Sequence, residues 1–328
     1  MEKVNWGIIG CGNVTEVKSG PAFYKAENSA LVAVMRRDAA KAADYAHRHG
    51  VPAWYSNADE LIADKKVNAV YIATPPDTHA AYAIKALRAG KPVYVEKPMA
   101  LNYSECRQML AVSEDTGVPI FVAYYRRMLP GFLRVKQLID SGAIGKPLSV
   151  ALKLIKPPSN DELNGNLPWR VLPEVAGAGH FFDLASHQLD YLDYLFGPVV
   201  RVKGIASNRG GLYAAEDTLA AVFEFKNGVV GSGEWCFVAS SDTNTDQIEI
   251  TGENGNINFS CYSFSPIQLM TDGNRQVFRN ERPGHVQFYL VQEIVNELLG
   301  KGKSPSTGET GARTSWVMGE VVKEYYKK

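Results

Sequence analysis

The feature that most constrains the fold is a short apolar run, residues 4–10, that leads directly into a glycine-containing turn. This turn reads Gly10-Cys11-Gly12-Asn13-Val14-Thr15. Glycines after a strand let the backbone turn tightly and approach a pyrophosphate, whose charge then lies at the N-terminus of the following helix. We therefore predict that Gly10, Gly12, Asn13 and Val14 bind a dinucleotide. A purely structural glycine turn is the alternative.

Thr15 stands where the third glycine of this pattern is usual. A small side chain is tolerated there at some cost in helix packing, and its hydroxyl is able to add a contact to the phosphates.

The first 122 residues alternate short β-branched runs with helical stretches, which is the pattern of a parallel sheet with crossover helices. Predicted strands are 4–10, 31–36, 69–74, 92–96 and 119–123, and predicted helices are 39–49, 78–89 and 103–116. Closely spaced β-like runs then fill residues 199–277, which predicts one open, mainly antiparallel sheet. The fold class is thus α/β, with a doubly wound Rossmann domain in 1–122 and an α+β domain in 123–328.

The bulk composition favours a small-molecule ligand. A chain of 328 residues is long enough for two hydrophobic cores. Lys plus Arg number 35 and Asp plus Glu number 35, so no net charge attracts the chain to nucleic acid or to a membrane surface. No apolar run reaches the roughly 20 residues of a membrane span. The first residues lack a signal-peptide pattern, and the 4 cysteines are scattered, so a reducing cytoplasm is expected.

Two arginines indicate which dinucleotide is bound. Arg36 and Arg37 follow the predicted second strand, where NAD-dependent enzymes usually place an acidic residue on the ribose hydroxyls. A guanidinium group instead pairs with the 2′-phosphate of NADP. NADP is therefore favoured, although the nearby Asp38 leaves NAD open, and the arginines of a solvated loop are the plain alternative.

Polar residues follow two further strands at the sheet edge where ligands of α/β proteins bind. Thr74, Pro75 and His79 come after the fourth predicted strand, and Glu96 and Lys97 come after the fifth. We predict that all of them contact the cofactor. A lysine beside a desolvating cofactor can also polarise or protonate a substrate oxygen.

A titratable cluster stands in the second domain. The turn 176–179 is followed by Asp183, His187 and Asp190, whose spacings of four and three place them on one helical face. Histidine as a residue type titrates near neutrality, and a carboxylate can orient it, so the cluster suits proton transfer. A metal site and a hydrogen-bonded structural histidine are the alternatives, and we predict no metal because no second histidine has a ligand-like spacing.

Together these residues resemble the Gfo/Idh/MocA family of oxidoreductases over nearly the whole chain. The resemblance is carried by Gly10-Cys11-Gly12-Asn13, Ala73-Thr74-Pro75, Glu96-Lys97-Pro98, Tyr125-Arg126-Arg127, the turn 176–179, and Asp183 with His187. It implies that hydride passes between a nicotinamide and a carbinol carbon of a sugar, polyol or diol. Lys97 and His187 would serve that reaction, with Asp183 binding a neighbouring hydroxyl or orienting the site.

The resemblance also implies further contacts. Arg127, Trp169 and Arg170 are expected to touch the substrate, and the arginine pair is closest to the NADP-using branches of the family. The open sheet is expected to form a homodimer or homotetramer. A dinucleotide-binding sensor without turnover, and a glycoside-cleaving enzyme that retains NAD, are the rival functions.

Overall fold

The computed structural model describes residues 2–327, which form two compact units. The first unit runs to Tyr125 and also contains Pro283–Ala312. The second contains Arg126–Arg282 and the described residues from Arg313 onward. The sequence suggested a single boundary after residue 122, whereas the chain returns to the first unit near its C-terminal end.

The first unit is a doubly wound parallel sheet. Its strands are β1 (Val4–Ile9), β2 (Ser29–Met35), β3 (Ala53–Tyr55), β4 (Ala69–Ile72), β5 (Val93–Val95) and β6 (Ile120–Val122), in the order β3-β2-β1-β4-β5-β6. Its helices are α1 (Asn13–Val17), α2 (Gly20–Lys25), α3 (Ala39–His49), α4 (Ala58–Ala63), α5 (His79–Arg88), α6 (Tyr103–Thr116) and α11 (Phe288–Leu298).

Helix ends in this unit follow directly from local chemistry. Asp38 caps α3 by accepting a hydrogen bond from the backbone N–H of Lys41, and Gly50 ends the helix in the left-handed region at φ 64°. Asn102 likewise caps the N-terminus of α6, and Gly117 ends that helix in the left-handed region at φ 67°. These caps make the bounds of both helices agree with the prediction residue for residue.

The strands of this sheet are buried on both faces, as parallel strands usually are. β4 and β5 are buried along their whole length. On one face, Tyr71 and Tyr94 stack with ring centroids 5.0 Å apart, and Phe23 lies 4.8 Å from Tyr71. Trp6 packs against Phe23 at 5.0 Å. This aromatic cluster places two tyrosine hydroxyls inside the unit, where they need hydrogen-bond partners.

The second unit is built on one open sheet of eight strands. These are β7 (Pro147–Ile155), β8 (Val199–Ser207), β9 (Thr218–Phe225), β10 (Val230–Cys236), β11 (Thr245–Gly252), β12 (Gly255–Phe259), β13 (Ile267–Thr271) and β14 (Asn274–Phe278), in the order β14-β13-β12-β11-β7-β10-β9-β8. All neighbours are antiparallel except β10 and β7. The predicted fold class is therefore confirmed.

Helices of the second unit are α7 (Pro130–Asp140), α8 (Asn160–Leu163), α9 (Pro173–Ala176) and α10 (His180–Phe196). The long α12 (Gly308–Tyr326) begins in the first unit and continues through the second. Within residues 2–327, no helix is both long and apolar enough to cross a bilayer.

A buried ion network fixes α10. Arg127 donates from Nε to Asp190 Oδ2 at 2.8 Å and from Nη2 to Asp190 Oδ1 at 2.7 Å, and Nη2 also lies 3.2 Å from Asp193 Oδ1. Arg313 from α12 binds the Asp193 carboxylate at 2.7 and 2.8 Å. Two arginines thus face two carboxylates, which is the pairing that buried charges require.

Candidate functional site

The predicted dinucleotide turn lies between β1 and α1. Gly10 has φ +92°, and a Cβ there would lie 2.7 Å from Thr74 Cγ2 and 2.9 Å from the Thr74 backbone nitrogen. Only glycine satisfies both constraints, so Gly10 lets the turn pass close to the end of β4.

Gly12 fits a dinucleotide for a different reason. A Cβ at Gly12 would meet nothing closer than the Gly10 carbonyl oxygen at 3.9 Å. The protein's own packing therefore does not require glycine here, and the bare backbone leaves open space at the start of α1. Such space beside a helix N-terminus is what a pyrophosphate needs. Asn13 is exposed and Val14 is half-buried at the same point.

Thr15 does not take the phosphate contact that its position suggested. It is fully buried, its hydroxyl donates to the Gly12 carbonyl at 2.8 Å, and it accepts the Gly12 N–H at 3.0 Å. The hydroxyl thereby closes the turn instead of facing a ligand.

The arginine pair follows β2 as predicted. The Arg36 backbone N–H donates to Tyr55, and Nη1 of its half-buried side chain lies 3.4 Å from the Cys11 carbonyl oxygen in the turn. Arg37 is exposed. Asp38, the residue that left NAD open, is occupied as the N-cap of α3, where the N–H of Lys41 lowers its pKa. Arg36 therefore contacts the turn, whereas the Asp38 carboxylate is engaged in the helix cap.

His79 joins the loops after β4 and β5. It is fully buried, with Nε2 2.8 Å from the Thr74 carbonyl oxygen and Nδ1 3.0 Å from that of Pro98. Burial lowers the pKa of His79, while these hydrogen bonds and the nearby Glu96 oppose the shift. Because both ring nitrogens face the backbone, this arrangement disfavours the predicted direct cofactor contact. Thr74 and Pro75 remain partly accessible on the same loop.

Glu96 and Lys97 follow β5 and precede a cis peptide bond to Pro98. Glu96 is buried, and its Oε2 accepts the backbone N–H of Lys97 at 3.1 Å. Lys97 is half-buried. The first unit therefore contains the turn, the arginines and the lysine of the predicted site.

The second unit carries the other predicted residues on α10, on the 3-10 turn Trp169–Val171 and, for Arg127, on the 3-10 turn Tyr125–Met128. Arg170 Nε lies 3.2 Å from Asp183 Oδ2, and its guanidinium carbon lies 4.4 Å from the centroid of the Trp169 ring. The side chain of Arg170 is 44% exposed and that of Asp183 is 19% exposed. Trp169, Arg170 and Asp183 therefore form one accessible group.

His187 lies one turn further along α10 and is buried. Its ring is 6.4 Å from that of Tyr262, centroid to centroid, and the Tyr262 hydroxyl donates to the Leu184 carbonyl. Arg126 lies 4.5 Å over the Tyr262 ring. Sequence reasoning missed Tyr262, because nothing in the local pattern of 259–265 separates it from other loop tyrosines.

Two predicted residues, Asp190 and Arg127, belong to the buried ion network of α10. Asp190 belongs to the same helix face as His187 but is fully buried against Arg127, and burial raises its pKa to about 6. Arg127 is equally enclosed. This arrangement gives Arg127 a structural role and disfavours its predicted contact with substrate.

The N-terminus of α10 is held by carboxylates that the sequence did not single out. Gly179, its N-cap, donates its N–H to Glu216 at 3.0 and 3.2 Å. Tyr326 donates its hydroxyl to Glu216 Oε2 at 2.6 Å. His180 Nε2 lies 2.6 Å from Glu162 Oε1. A Cβ at Gly179 would come within 2.6 Å of the Glu216 carbonyl oxygen, so glycine is required there.

The metal alternative requires several His, Cys, Asp or Glu side chains close to one another. Across residues 2–327, no three side chains of His, Cys, Asp or Glu are arranged to hold a metal ion.

Comparison with known proteins agrees with this arrangement. A family model described as "Oxidoreductase family, NAD-binding Rossmann fold" matches residues 4–124, and one described as "GFO/IDH/MocA C-terminal domain" matches residues 132–258. The chain belongs to the Gfo/Idh/MocA family of oxidoreductases. The predicted resemblance is thus confirmed, and the protein is an enzyme of the oxidoreductase class.

Individual members of the family are similar along most of the chain. Oxidoreductase P35 of Formosa agariphila is 44% identical over 96% of this chain and 97% of its own length. Levoglucosan dehydrogenase of Pseudarthrobacter phenanthrenivorans is 30% identical over 88% of this chain and 82% of its own. A solved structure of levoglucosan dehydrogenase in complex with NADH has a TM-score of 0.86 at 25% identity, covering 99% of this chain and 97% of that one.

Replacement of Glu216 is expected to change how stability depends on pH. Burial raises the pKa of Glu216 from 4.5 to about 7, against its hydrogen bonds from Tyr326 and Gly179 and with a further rise from Asp217. The folded state therefore binds this proton more tightly than the unfolded chain. Its contribution to stability is complete below about pH 4.5 and is lost as the pH rises through about 7.

As the pH rises from 5 to 8, the free energy of unfolding of Glu216→Gln should increase by about 2–3 kcal/mol relative to that of the wild type, because the amide mimics the protonated acid and does not titrate. Chemical denaturation at several pH values measures this gain. Glu234→Gln, at an exposed residue of β10, is the matched control. Parallel pH dependences for wild type and Glu216→Gln would show that Glu216 does not titrate in this way.

Proposed function

We propose that this oxidoreductase transfers a hydride between NADP(H) and a carbinol or carbonyl carbon of a sugar, polyol or diol. The observation that carries the proposal is the open backbone at Gly12, next to a turn that only glycine at position 10 allows. Arg36 beside that turn, and Lys97 at the end of β5, add the groups that the cofactor and the reaction require.

The preference for NADP rests on the arginine pair. Arg36 offers a guanidinium group beside the turn, Arg37 adds an exposed one directly after it in sequence, and the Asp38 carboxylate caps a helix. A 2′-phosphate would add charge-assisted hydrogen bonds to such groups. The related levoglucosan dehydrogenase was solved with NADH, so we base the preference on this chain's own residues and keep NAD as the competing cofactor.

The proposed substrate class follows from relatives and from the accessible group on the second unit. Levoglucosan dehydrogenase, by its name, oxidises a sugar derivative. Trp169 offers an apolar ring, while Arg170 and Asp183 offer a donor and an acceptor for hydroxyl groups. This combination suits a polyhydroxylated ring, and we assign all three residues to substrate binding.

The nicotinamide, when bound, supplies or accepts the hydride. In the reductive direction, His187 acts as the proton donor to the substrate, and Lys97 donates a hydrogen bond to a substrate oxygen. Asp183 accepts a hydrogen bond from a neighbouring hydroxyl. In the oxidative direction, His187 takes the proton instead. General acid–base catalysis of this kind contributes about 10²–10⁴-fold to a rate.

Removal of the arginine pair is expected to weaken NADPH binding selectively. For the double variant Arg36→Ala/Arg37→Ala, we expect the Kd for NADPH to rise about 10–100-fold and the Kd for NADH to change little. Fluorescence titration with each nucleotide measures both constants. Arg88→Ala, at an exposed arginine ending α5, is the control. Tighter binding of NADH by the wild type would contradict the proposed preference.

Replacement of His187 is expected to separate binding from turnover. His187→Asn should retain its NADPH affinity and lose about 10²–10⁴-fold in kcat, because the proton donor is gone. A turnover screen over sugars, inositols and diols provides the substrate. His47→Asn, at an exposed histidine of α3, is the control. Unchanged kcat would refute the assigned role, and nucleotide binding without any turnover of the wild type would favour a sensor.

We also propose that the open face of the eight-stranded sheet forms a homodimer or homotetramer. Ile205, Val222 and Val230 on that face are 77%, 58% and 55% exposed, which is unusual for β-branched residues grouped on one surface. Sedimentation velocity should show an oligomer that Val222→Lys disrupts, whereas Leu163→Lys, outside the sheet, should not. A monomeric wild type would overturn this proposal. A cytoplasmic location stays a prediction.

A further inference from the structure

Glu96 is a buried carboxylate with an unusual set of partners. It is 8% exposed, yet its Oε1 accepts hydrogen bonds from the Tyr71 hydroxyl at 2.5 Å and from Gln287 Nε2 at 2.6 Å. Its Oε2 accepts the backbone N–H of Lys97 at 3.1 Å. Neutral donors thus replace the water that this carboxylate loses on burial.

The amide of Gln287 can adopt only one orientation in this cluster. Its Oε1 accepts a hydrogen bond from the Tyr94 hydroxyl at 2.9 Å, while its Nε2 donates to Glu96. The reverse orientation would place the amide oxygen against the carboxylate. Gln287 is 1% exposed, so no water competes for these contacts.

The tyrosines that complete the cluster are fixed by the sheet. Tyr71 on β4 is the register partner of Tyr94 on β5, and their rings stack. Both are fully buried. The hydroxyl positions are therefore set by strand pairing and by aromatic packing, which leaves little freedom for Glu96 to rotate.

Gln287 comes from a distant part of the chain that is itself held against the end of α1 and against α2. It is the N-cap of α11, and its backbone N–H donates to the Lys18 carbonyl at 3.4 Å. Nearby, His285 Nδ1 lies 2.9 Å from the Val17 carbonyl oxygen and Nε2 lies 2.7 Å from Lys25 Nζ. This segment thus connects the end of α1 with the loop after β5.

We propose that Gln287 and Tyr71 are positioning residues for Lys97. They fix one oxygen of the Glu96 carboxylate, and the other oxygen fixes the backbone N–H of Lys97, so the loop after β5 holds the lysine in one place. The inference rests on the proposed function, because Lys97 takes its catalytic role there. It extends that function to a glutamine that lies 191 residues beyond Glu96 in sequence.

The test uses the full chain saturated with NADPH and its best substrate. Gln287→Leu removes the donor with little change in shape, and Tyr71→Phe removes a single hydroxyl. We expect kcat to fall about 10–100-fold in each, the size expected for a lost hydrogen bond to a charged group. The Kd for NADPH should stay within about 3-fold. Amide hydrogen exchange in residues 95–100 should become faster.

Gln292→Leu is the matched control. Gln292 lies on the same helix α11, accepts the backbone N–H of Glu27 and donates to Asn296. The variant Gln292→Leu makes the same chemical change away from Glu96, so kcat and amide hydrogen exchange in residues 95–100 should stay at wild-type values.

The variant Lys97→Met separates the positioning role of Gln287 and Tyr71 from the proposed function of Lys97. If Lys97→Met abolishes turnover while Gln287→Leu and Tyr71→Phe keep the wild-type kcat, the positioning role is overturned and the proposed function stands. If Lys97→Met turns over normally, both fail. Should Gln287→Leu fail to fold, Tyr71→Phe alone decides, because the loss of one hydroxyl leaves the aromatic packing in place.

Discussion

The second unit depends on the pairing of Arg127 with Asp190 and Asp193, which fixes the helix that carries Asp183 and His187. Removing one member of such a buried network leaves an uncompensated charge, which costs about 3–5 kcal/mol. Both carboxylates lie in the C-terminal half of α10, and Arg313 from α12 binds that of Asp193, so the helix is held to two other segments of its unit. The residues proposed for proton transfer and substrate binding, His187 and Asp183, lie in the N-terminal half, whose anchors are different.

Both units support their candidate catalytic side chains in the same way. In the first, Glu96 accepts hydrogen bonds from Tyr71, Gln287 and the Lys97 backbone. In the second, Glu216 accepts them from Tyr326 and from the N-cap of α10. A buried carboxylate that is paired with neutral donors is costly unless each donor keeps its place. Such a cluster therefore specifies one arrangement of the nearby loop or helix end, which suits a site whose groups must keep fixed positions.

The sequence was sufficient where local chemistry decides structure. The helices 39–49 and 103–116 were predicted with their observed bounds, because N-caps and left-handed glycines mark both ends. The prediction missed β3, which has three residues and too little periodicity. It also missed β7, although the alternating burial of this strand is the period-2 pattern of a half-buried strand.

The candidate site shows the same contrast between residues that local sequence reveals and residues that tertiary structure places. Gly10 and Gly12 were recognised from spacing, since a turn after a strand has a fixed chemistry. The structural roles of Arg127 and His79 were not recognised, because arginine and histidine both bind ligands and form buried networks. Only the burial and the partners of each side chain distinguish these two roles. Gln287 and Glu216 act across 191 and 37 residues, beyond the reach of any local pattern. Residues that touch a ligand thus leave short motifs, whereas residues that hold those motifs in place are set by tertiary structure.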